Sequence, residues 1–448
     1  MNAVKIFTTK DHILSKEELF PALPVTSAET LTVSKNFSNG FMGFGVAITS
    51  SSCYELNLMN PEERKALLSH LYGKDGIGLS IGRVCVGSCD YSPEIYSYDD
   101  VANDTSLEHF SVARDERYVI PMIKEILEIN PDLYLFASPW SPPYWMKTGN
   151  NMCGGYMRDC YVDCYADYIV KFIEAYASYG IKISALTPQN ECNTQSGGSM
   201  PSCIWHPETE AAFIKTLRKK LDDKGLDVKI WMYDHNFNDV ERVIWSLDNC
   251  EGLKDACDGV AFHYYRGAIE ETCIMAEKYP DIECHFTEGG PRISENYDID
   301  WCKWGLMAVK ALKMGFKSMT GWNLMLDEFG GPNVGPFGGI CGGLITRDSR
   351  SGELSYSGQY RAFAHLSPYI NKNSKIYPLM LGASFNMQIS DYPKHNIPME
   401  GVLVDNGDKK IAIIVNPNAR RIQTQLNVDG CQWYTELHPE SVSTLIFS

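Results

Sequence analysis

The feature that most constrains the fold is an alternation of apolar strand patterns and amphipathic helix patterns between residues 41 and 369. Each of eight short apolar segments is followed by a segment whose apolar residues have helical spacing. Such alternation is typical of a parallel sheet, and eight units are the number that closes the sheet into a (β/α)8 TIM barrel. The predicted strands cover residues 41–49, 77–86, 133–138, 181–187, 228–233, 259–263, 282–287 and 318–322.

An open, doubly wound sheet is the alternative fold for the same alternation. Such sheets bind dinucleotides through a Gly-x-Gly-x-x-Gly turn after the first strand, and related folds bind phosphate through a lysine-containing loop. Neither motif occurs in this chain at the required place. We therefore predict a closed barrel.

After residue 371 the pattern changes to short strands without helices between them, and Asn406-Gly407 gives a hairpin signal. This pattern indicates a small antiparallel β-sandwich domain. The predicted strands cover residues 383–389, 401–404, 410–415, 422–428 and 442–447.

Three parts are predicted along the chain. An N-terminal arm covers residues 1–38, the (β/α)8 barrel 39–371 and the β-sandwich 372–448. The arm contains a helical patch at 15–20 and a β-rich piece at 29–33, and we expect it to contribute in part to the sandwich.

Charge and hydropathy exclude some partners. The formal net charge of −16 argues against nucleic acid or an anionic membrane as partner, because both require basic surface. The N-terminal segment lacks the apolar core of a secretory signal, and no run of 18 uncharged apolar residues occurs. We therefore expect a cytoplasmic protein without stable membrane association, or a secreted one if a leader was removed. The 15 cysteines are expected to be reduced thiols.

Polar and aromatic side chains lie at the C-terminal ends of the predicted strands. In a TIM barrel these ends share one face, where active sites lie. Aromatic rings with hydrogen-bonding neighbours suit sugars, whose rings offer apolar C–H faces and hydroxyl groups. The candidates are Asp90, Trp140, Asn190, Glu191, Asn236, His263, Tyr265, Glu288, Trp322 and Asn323, with Arg83 inside the second strand.

Two of these residues, Glu191 and Glu288, follow the fourth and seventh strands, whose ends face each other across a barrel mouth. A carboxylate pair about 5 Å apart hydrolyses glycosides with retention, and a pair roughly 6.5–9.5 Å apart does so with inversion. The sequence leaves this distance open. A metal site built from Asp234, His235 and His263 is an alternative on the same face. No Gly-x-Ser-x-Gly motif for a serine nucleophile occurs.

Several motifs around these residues are long and specific. The longest is ASPWSPPYWMKT at residues 137–148, and the others lie at 43–45, 88–92, 187–191, 286–289 and 322–324. Together they resemble the motifs of glycoside hydrolase family 30, the family of the glucosylceramidases. The similarity extends over nearly the whole chain and is greatest to the glucosylceramidase-like branch.

The resemblance implies a retaining β-glycosidase without cofactor or metal, in a barrel joined to a β-sandwich. It makes Glu191 the general acid/base and Glu288 the nucleophile, with Arg83 and Tyr265 supporting the nucleophile. It also places Asn190 at the sugar 2-hydroxyl. The residues predicted to bind substrate are Asp90, Trp140, Asn190, His263, Tyr265, Trp322 and Asn323, and the supporting residues are Arg83 and Asn236.

The predicted function is exo-acting hydrolysis of β-glucosides. Because Glu191 must hold a proton for the leaving oxygen, its pKa is expected to lie above that of Glu288 in the free enzyme. The alternatives are a β-xylosidase or a β-1,6-glucanase of the same fold. From another class, the alternative is a carbohydrate-binding protein without catalytic activity. The oligomeric state is not predicted.

Overall fold

A computed structural model describes residues 3–194, 199–381 and 398–448. The strands in these residues are β1 (Ala3–Thr8), β2 (Ser15–Leu19), β3 (Glu29–Val33), β4 (Phe44–Ala47), β5 (Ile81–Val86), β6 (Tyr134–Pro139), β7 (Ala185–Leu186), β8 (Lys229–Asn236), β9 (Gly259–His263), β10 (Glu283–Glu288), β11 (Met319–Gly321), β12 (Met325–Asp327), β13 (Ile345–Arg347), β14 (Leu354–Tyr356), β15 (Lys375–Leu381), β16 (Glu400–Asp405), β17 (Lys410–Asn416), β18 (Ile422–Val428), β19 (Cys431–Leu437) and β20 (Ser441–Phe447).

The α-helices in the same residues are α1 (Ser50–Asn57), α2 (Pro61–Tyr72), α3 (Val119–Ile129), α4 (Val162–Ser178), α5 (Pro207–Asp223), α6 (Val240–Asn249), α7 (Leu253–Ala256), α8 (Cys273–Lys278), α9 (Trp301–Lys313) and α10 (Gly358–Leu366). The start of α2 illustrates the sequence signals. Asn60 accepts a hydrogen bond from the backbone N–H of Glu62, and Pro61 occupies the first helical position. None of the described helices is both long and apolar enough to cross a bilayer.

The chain divides into two compact units. One comprises Phe44–Ser294 and Ser318–Ser355, and the other comprises Met1–Gly43, Glu295–Lys317 and Tyr356–Ser448. The predicted domain limits stay predictions.

The first unit contains a closed barrel of eight parallel strands, in the order β10-β11-β4-β5-β6-β7-β8-β9. The barrel closes where Met319 of β11 pairs with Phe44 of β4. The barrel strands β4, β5 and β9 are buried along their whole length, as expected for a parallel sheet that is covered on both faces. A smaller sheet, β12-β13-β14, belongs to the same unit.

The second unit contains a nine-stranded sheet in the order β19-β18-β3-β15-β16-β17-β20-β1-β2. All of its pairings are antiparallel except that between β3 and β18. Its two ends meet, because Pro21 after β2 pairs with Trp433 of β19. Trp433, Leu426 and Leu445 are fully buried in the core that the curved sheet encloses. The predicted fold class, a TIM barrel with a separate and mostly antiparallel β domain, is confirmed.

The predicted helical patch at 15–20 is wrong, because these residues form β2. The segment contains good helix formers, but it pairs along its length with β1, and Lys5 forms a 2.7 Å ion pair with Glu17. Tertiary pairing thus overrides local propensity. The other strands that were not predicted are β1, β12, β13, β14, β15 and β19. The predicted strand at 383–389 lies outside the described residues.

Candidate active site

The two glutamates lie on the same face of the barrel. Glu191 follows β7, and Glu288 ends β10, with β8 and β9 between these strands. One carboxylate oxygen of Glu191 and one of Glu288 lie within 4.8 Å of each other. The predicted pair is therefore brought together, at the short separation that is typical of retention.

Arg83 on β5 lies beneath this pair and is fully buried. Its Nη1 donates to Oε2 of Glu288, and its Nη2 donates to Oδ1 of Asn190 and to Oδ2 of Asp234, both at 2.8 Å. The guanidinium carbon also lies 4.8 Å from the centroid of the Trp140 ring. Because the planar guanidinium has fixed donor directions, it sets the orientation of the nucleophile candidate and of Asn190 together.

Asp234 is the acidic centre of this network. Its Oδ2 accepts from Ser138 Oγ at 2.9 Å and from Thr187 Oγ1 at 2.7 Å. Its Oδ1 accepts from Thr287 Oγ1 at 2.7 Å and from Nε2 of His263 at 3.0 Å. Although burial raises the pKa of the Asp234 carboxyl, the charges of Arg83 and His263 outweigh this effect and hold the pKa well below its ordinary value.

A β-bulge turns Asp234 toward the barrel interior. The pairing of β8 with β9 shifts register between Tyr233 and His235, and φ is +77° at Tyr233 and +53° at Asp234. Left-handed φ values are costly for residues other than glycine, and bulges of this kind often lie next to active sites. The sequence shows Asp234 at a strand end but gives no sign of the bulge.

His263 lies between the two glutamates. Its Nδ1 is 3.3 Å from Oε1 of Glu191 and 3.8 Å from Oε2 of Glu288. Burial lowers the pKa of His263, but the charges of Glu288 and Asp234 and the hydrogen bonds to Asp234 and Glu191 raise it to about 9. The imidazole is therefore protonated at neutral pH.

The pKa of Glu191, the acid/base candidate, is shifted in the opposite direction to that of His263. Burial raises the pKa of Glu191, but the hydrogen bond to His263 and the charges of His235 and His263 outweigh this and lower it to about 2. The sequence-based expectation that Glu191 itself holds the proton in the free enzyme is therefore wrong for this geometry. The proton lies on His263, one hydrogen bond away.

His235 is the second imidazole near Glu191. Its Nδ1 contacts Oδ1 of Asn193, and its Nε2 lies 3.1 Å from Thr194 Oγ1 and 3.5 Å from Glu191 Oε1. Burial is the main cause that lowers the pKa of His235 to about 4, so this ring is neutral. It was predicted only as part of an alternative metal site.

Glu191 and Glu288 line a cavity of about 610 Å³. Trp140 and Trp322 form one wall, with ring centroids 5.2 Å apart and planes at 20°. The predicted site residues that line this cavity are Asp90, Trp140, Asn190, Glu191, Asn236, Tyr265, Glu288 and Trp322.

Asp90 presents an unsatisfied acceptor at the cavity. The residue is buried, and its Oδ1 has no hydrogen-bond partner among the described residues. Burial and the charges of Glu288 and Glu191 raise the pKa of Asp90 well above its ordinary value. A buried polar atom without a partner is the expected signature of a place that a ligand hydroxyl fills.

Three predicted residues do not line the cavity. Arg83 and His263 contact the glutamates from behind, as described above. Asn323 is fully buried, and its Oδ1 accepts from Thr49 Oγ1 at 2.9 Å. Met200 and Cys341 line the cavity but were not predicted, because both lie in loops whose course the strand-and-helix pattern does not specify.

A family model, the glycosyl hydrolase family 30 TIM-barrel domain, matches residues 41–340. The chain belongs to glycosyl hydrolase family 30. The predicted family is thus confirmed. As a family member, the chain is a glycoside hydrolase that acts with retention on a carbohydrate substrate, in agreement with the short separation of its two carboxylates.

The curated proteins that this chain resembles include glucosylceramidases and endo-1,6-β-glucanases. The lysosomal acid glucosylceramidase of Mus musculus is 30% identical over 330 residues, which cover 68% of this chain and 63% of that protein. The endo-1,6-beta-D-glucanase of Neurospora crassa is 29% identical over 346 residues, which cover 75% and 71%. Among solved structures, SrfJ from Salmonella typhimurium has a TM-score of 0.88 and 25% identity, covering 100% of this chain and 99% of that one.

Proposed function

We propose that this family 30 hydrolase is an exo-acting β-glycosidase that prefers β-glucosides and works by double displacement. Glu288 is the nucleophile and Glu191 the acid/base. The observation that carries the proposal is the pair of carboxylates within 4.8 Å of each other at the base of one cavity.

Glu288 suits the role of nucleophile because both of its oxygens are hydrogen bonded as an anion requires. Arg83 donates to Oε2, and the Tyr265 hydroxyl donates to Oε1 at 2.9 Å. These donors hold the carboxylate in one orientation, so that an oxygen can attack the anomeric carbon. The covalent glycosyl-enzyme forms there as the leaving group departs.

Glu191 suits the acid/base role together with His263. As the leaving oxygen gains negative charge, the proton moves from Nδ1 of His263 to Oε1 of Glu191 and on to that oxygen. Once Glu288 is esterified and uncharged, His263 loses one of the anions that held its proton. Glu191 is then the base that takes a proton from the attacking water.

The wall behind Asp90 supports exo action. The N–H of Val334 donates to the carbonyl of Asp90 at 2.8 Å. A Cβ placed on Gly335 would lie 2.8 Å from Cβ of Asp90 and 3.3 Å from Cβ of Met200, so this segment packs directly against both. A wall on this side of the cavity would limit the room beyond the first sugar, as exo action requires, whereas endo action needs a cleft that is open at both ends.

Exposed apolar side chains at the mouth of the cavity favour a substrate whose leaving group has apolar surface. Phe337 and Ile340 line the cavity and are 40% and 39% exposed. Phe329 is 64% exposed and is linked to the same loop, because Gly339 donates to its carbonyl at 2.7 Å. Exposed apolar clusters next to a cavity mark binding surfaces for apolar ligands.

The alternatives within the class are a β-xylosidase and a β-1,6-glucanase, and the alternative outside it is a binding protein without activity. A panel of aryl β-glucoside, β-xyloside, β-galactoside and β-fucoside separates the glycones. Glucosylceramide in micelles and a β-1,6-glucan separate the aglycones. We expect the highest kcat/KM on the glucoside, and glucose as the first product.

Two results would contradict the proposal. Internal cleavage of the β-1,6-glucan to oligosaccharides would contradict exo action. Equal turnover by the wild type and by Glu288→Gln would mean that the measured activity does not come from this site.

A cytoplasmic location and independence of any cofactor stay predictions.

A further inference from the structure

We propose that Glu191, His263 and Glu288 also form a binding site for a divalent cation of the zinc class, which inhibits the enzyme by occupying the place of the substrate. The binding itself requires only the three side chains and their surroundings. The proposed cation binding can therefore be tested independently of which glycoside the enzyme hydrolyses.

The donor atoms have nearly the spacing of a metal site. His263 Nδ1 is 3.3 Å from Glu191 Oε1 and 3.8 Å from Glu288 Oε2, and the three ligand atoms lie within 4.8 Å of one another. Two donors bound at about 2.1 Å to a tetrahedral zinc-class ion are about 3.4 Å apart. Arg83 and Tyr265 hold Glu288 in place, so a small rotation of the Glu191 side chain would complete the geometry, and the cavity side leaves the fourth position open to water.

The second observation is the orientation of the imidazole. The Asp234 carboxylate can only accept, so Nε2 of His263 donates to it at 3.0 Å. Asp234 is itself fixed by Thr287 Oγ1 at 2.7 Å. In the neutral ring this leaves the lone pair on Nδ1, which faces both glutamates. A carboxylate that fixes a histidine in this way is the usual partner of a metal-bound imidazole.

The local charge also favours a divalent cation. The carboxylates of Glu191, Asp234 and Glu288 face one guanidinium, that of Arg83, which leaves two negative charges in excess. A divalent cation would compensate for both.

The ligand types select the kind of cation. One imidazole nitrogen with two carboxylate oxygens suits Zn²⁺, Co²⁺ or Ni²⁺, whereas Mg²⁺ and Ca²⁺ prefer oxygen ligands alone. A cation held by both glutamates would block nucleophilic attack and proton transfer together. The expected effect is inhibition that competes with the substrate.

The test uses CoCl2 and the full chain, because Co²⁺ reports its own ligands. Tetrahedral nitrogen and oxygen coordination gives visible absorption bands, and a thiolate ligand adds a near-ultraviolet charge-transfer band. This distinction matters because the chain has 15 free cysteines, and Cys341 lines the same cavity. We expect the visible bands without the thiolate band.

The variants identify the ligands. Glu191→Gln, Glu288→Gln and His263→Gln should each lose the visible bands, whereas Cys341→Ser should keep them. Circular dichroism checks that each variant is folded, and the two glutamate exchanges keep the side-chain shape. In the wild type, Co²⁺ at about ten times its Kd should lower kcat/KM about tenfold, and a chelator should restore it.

Three results would overturn the proposal. The first is the absence of visible bands in the wild type at Co²⁺ in about a hundredfold excess. The second is unchanged Co²⁺ binding in both glutamine variants of the glutamates. The third is a spectrum dominated by the thiolate band that disappears in Cys341→Ser. Each is read from the spectrum, so a protein inactive on every glycoside would still give a clear answer.

Discussion

Oε1 of Glu191 and Nδ1 of His263 are 3.3 Å apart, and this contact determines where the resting enzyme keeps its catalytic proton. The pKa of Glu191 is lowered to about 2 and that of His263 is raised to about 9, so the imidazole is the protonated partner. The two residues titrate as a pair, and the pair carries one proton from acidic to mildly alkaline pH.

The pH profile of hydrolysis follows from this pair. Because the raised pKa of His263 is about 9, the proton is present below that pH and is lost as the pH rises through it. For a phenyl or alkyl glycoside, kcat/KM should therefore be retained up to about pH 9 and fall about tenfold per unit above it. A dinitrophenyl glycoside, whose leaving group needs no proton, should show a much weaker decline. A decline that starts near pH 6 for the phenyl glycoside would contradict this assignment.

For a substrate whose leaving group needs no proton, removal of the acid/base should slow hydrolysis of the glycosyl-enzyme more than its formation. In Glu191→Ala, kcat for a dinitrophenyl glycoside should fall about 10²–10³-fold, because water lacks its general base in the second step. Azide should restore turnover and give the β-glycosyl azide. In Glu288→Ala, azide should instead give the α-anomer, because it replaces the nucleophile. Product anomers measured by NMR distinguish the two roles, and the same anomer from both variants would refute them.

Asp234 should be required for both stability and activity. It is buried and accepts hydrogen bonds from Arg83, His263 and three hydroxyl groups. Asp234→Asn removes the charge that pairs with Arg83, so we expect a loss of about 3–5 kcal/mol in the free energy of unfolding. Because Asp234 also orients Arg83 and His263, which contact the two glutamates, its replacement should lower kcat/KM about 10–100-fold.

The matched control is Asp227→Asn, because Asp227 is exposed just before the same strand. Its unfolding free energy, measured by urea denaturation, should be within about 0.5 kcal/mol of the wild type. A similarly small change for Asp234→Asn would show that Asp234 is not the centre of the network.

The strand ends and the two glutamates could be predicted from the sequence, because a buried strand followed by a polar residue is a local pattern. Glu191 and Glu288 both show it. The role of Asp234 could not be predicted, since it depends on a bulge that aims one side chain at residues from other strands. The pKa of Glu191 was predicted wrongly for the same reason. Two histidines from other strands determine it, and only the fold brings them close.

The segment Ser15–Leu19 shows the other limit of sequence-based prediction. Its residues favour a helix locally, but pairing with β1 makes it a strand. The pattern of a strand at a sheet edge is weak when most of its side chains are exposed, as they are here.

Asp90 should be important for substrate binding but not for stability. Its Oδ1 has no partner among the described residues, and burial of this carboxyl is unfavourable to the fold. Asp90→Ala should lower kcat/KM for the glucoside about 10²-fold, because a site built for a sugar hydroxyl loses its acceptor. The midpoint of thermal unfolding should stay the same or rise. A large drop in this midpoint would instead indicate a structural role.

The most direct test of the central claim is to trap the covalent intermediate with a 2-deoxy-2-fluoro-β-glucoside that carries a dinitrophenyl leaving group. Peptide mass spectrometry should find one fluoroglucosyl group on Glu288 in the wild type, the same in Glu283→Gln, which changes the first glutamate of the same strand, and none in Glu288→Gln. A label on Glu191 or on any other carboxylate, or no label in a wild type that hydrolyses glucosides, would contradict the account.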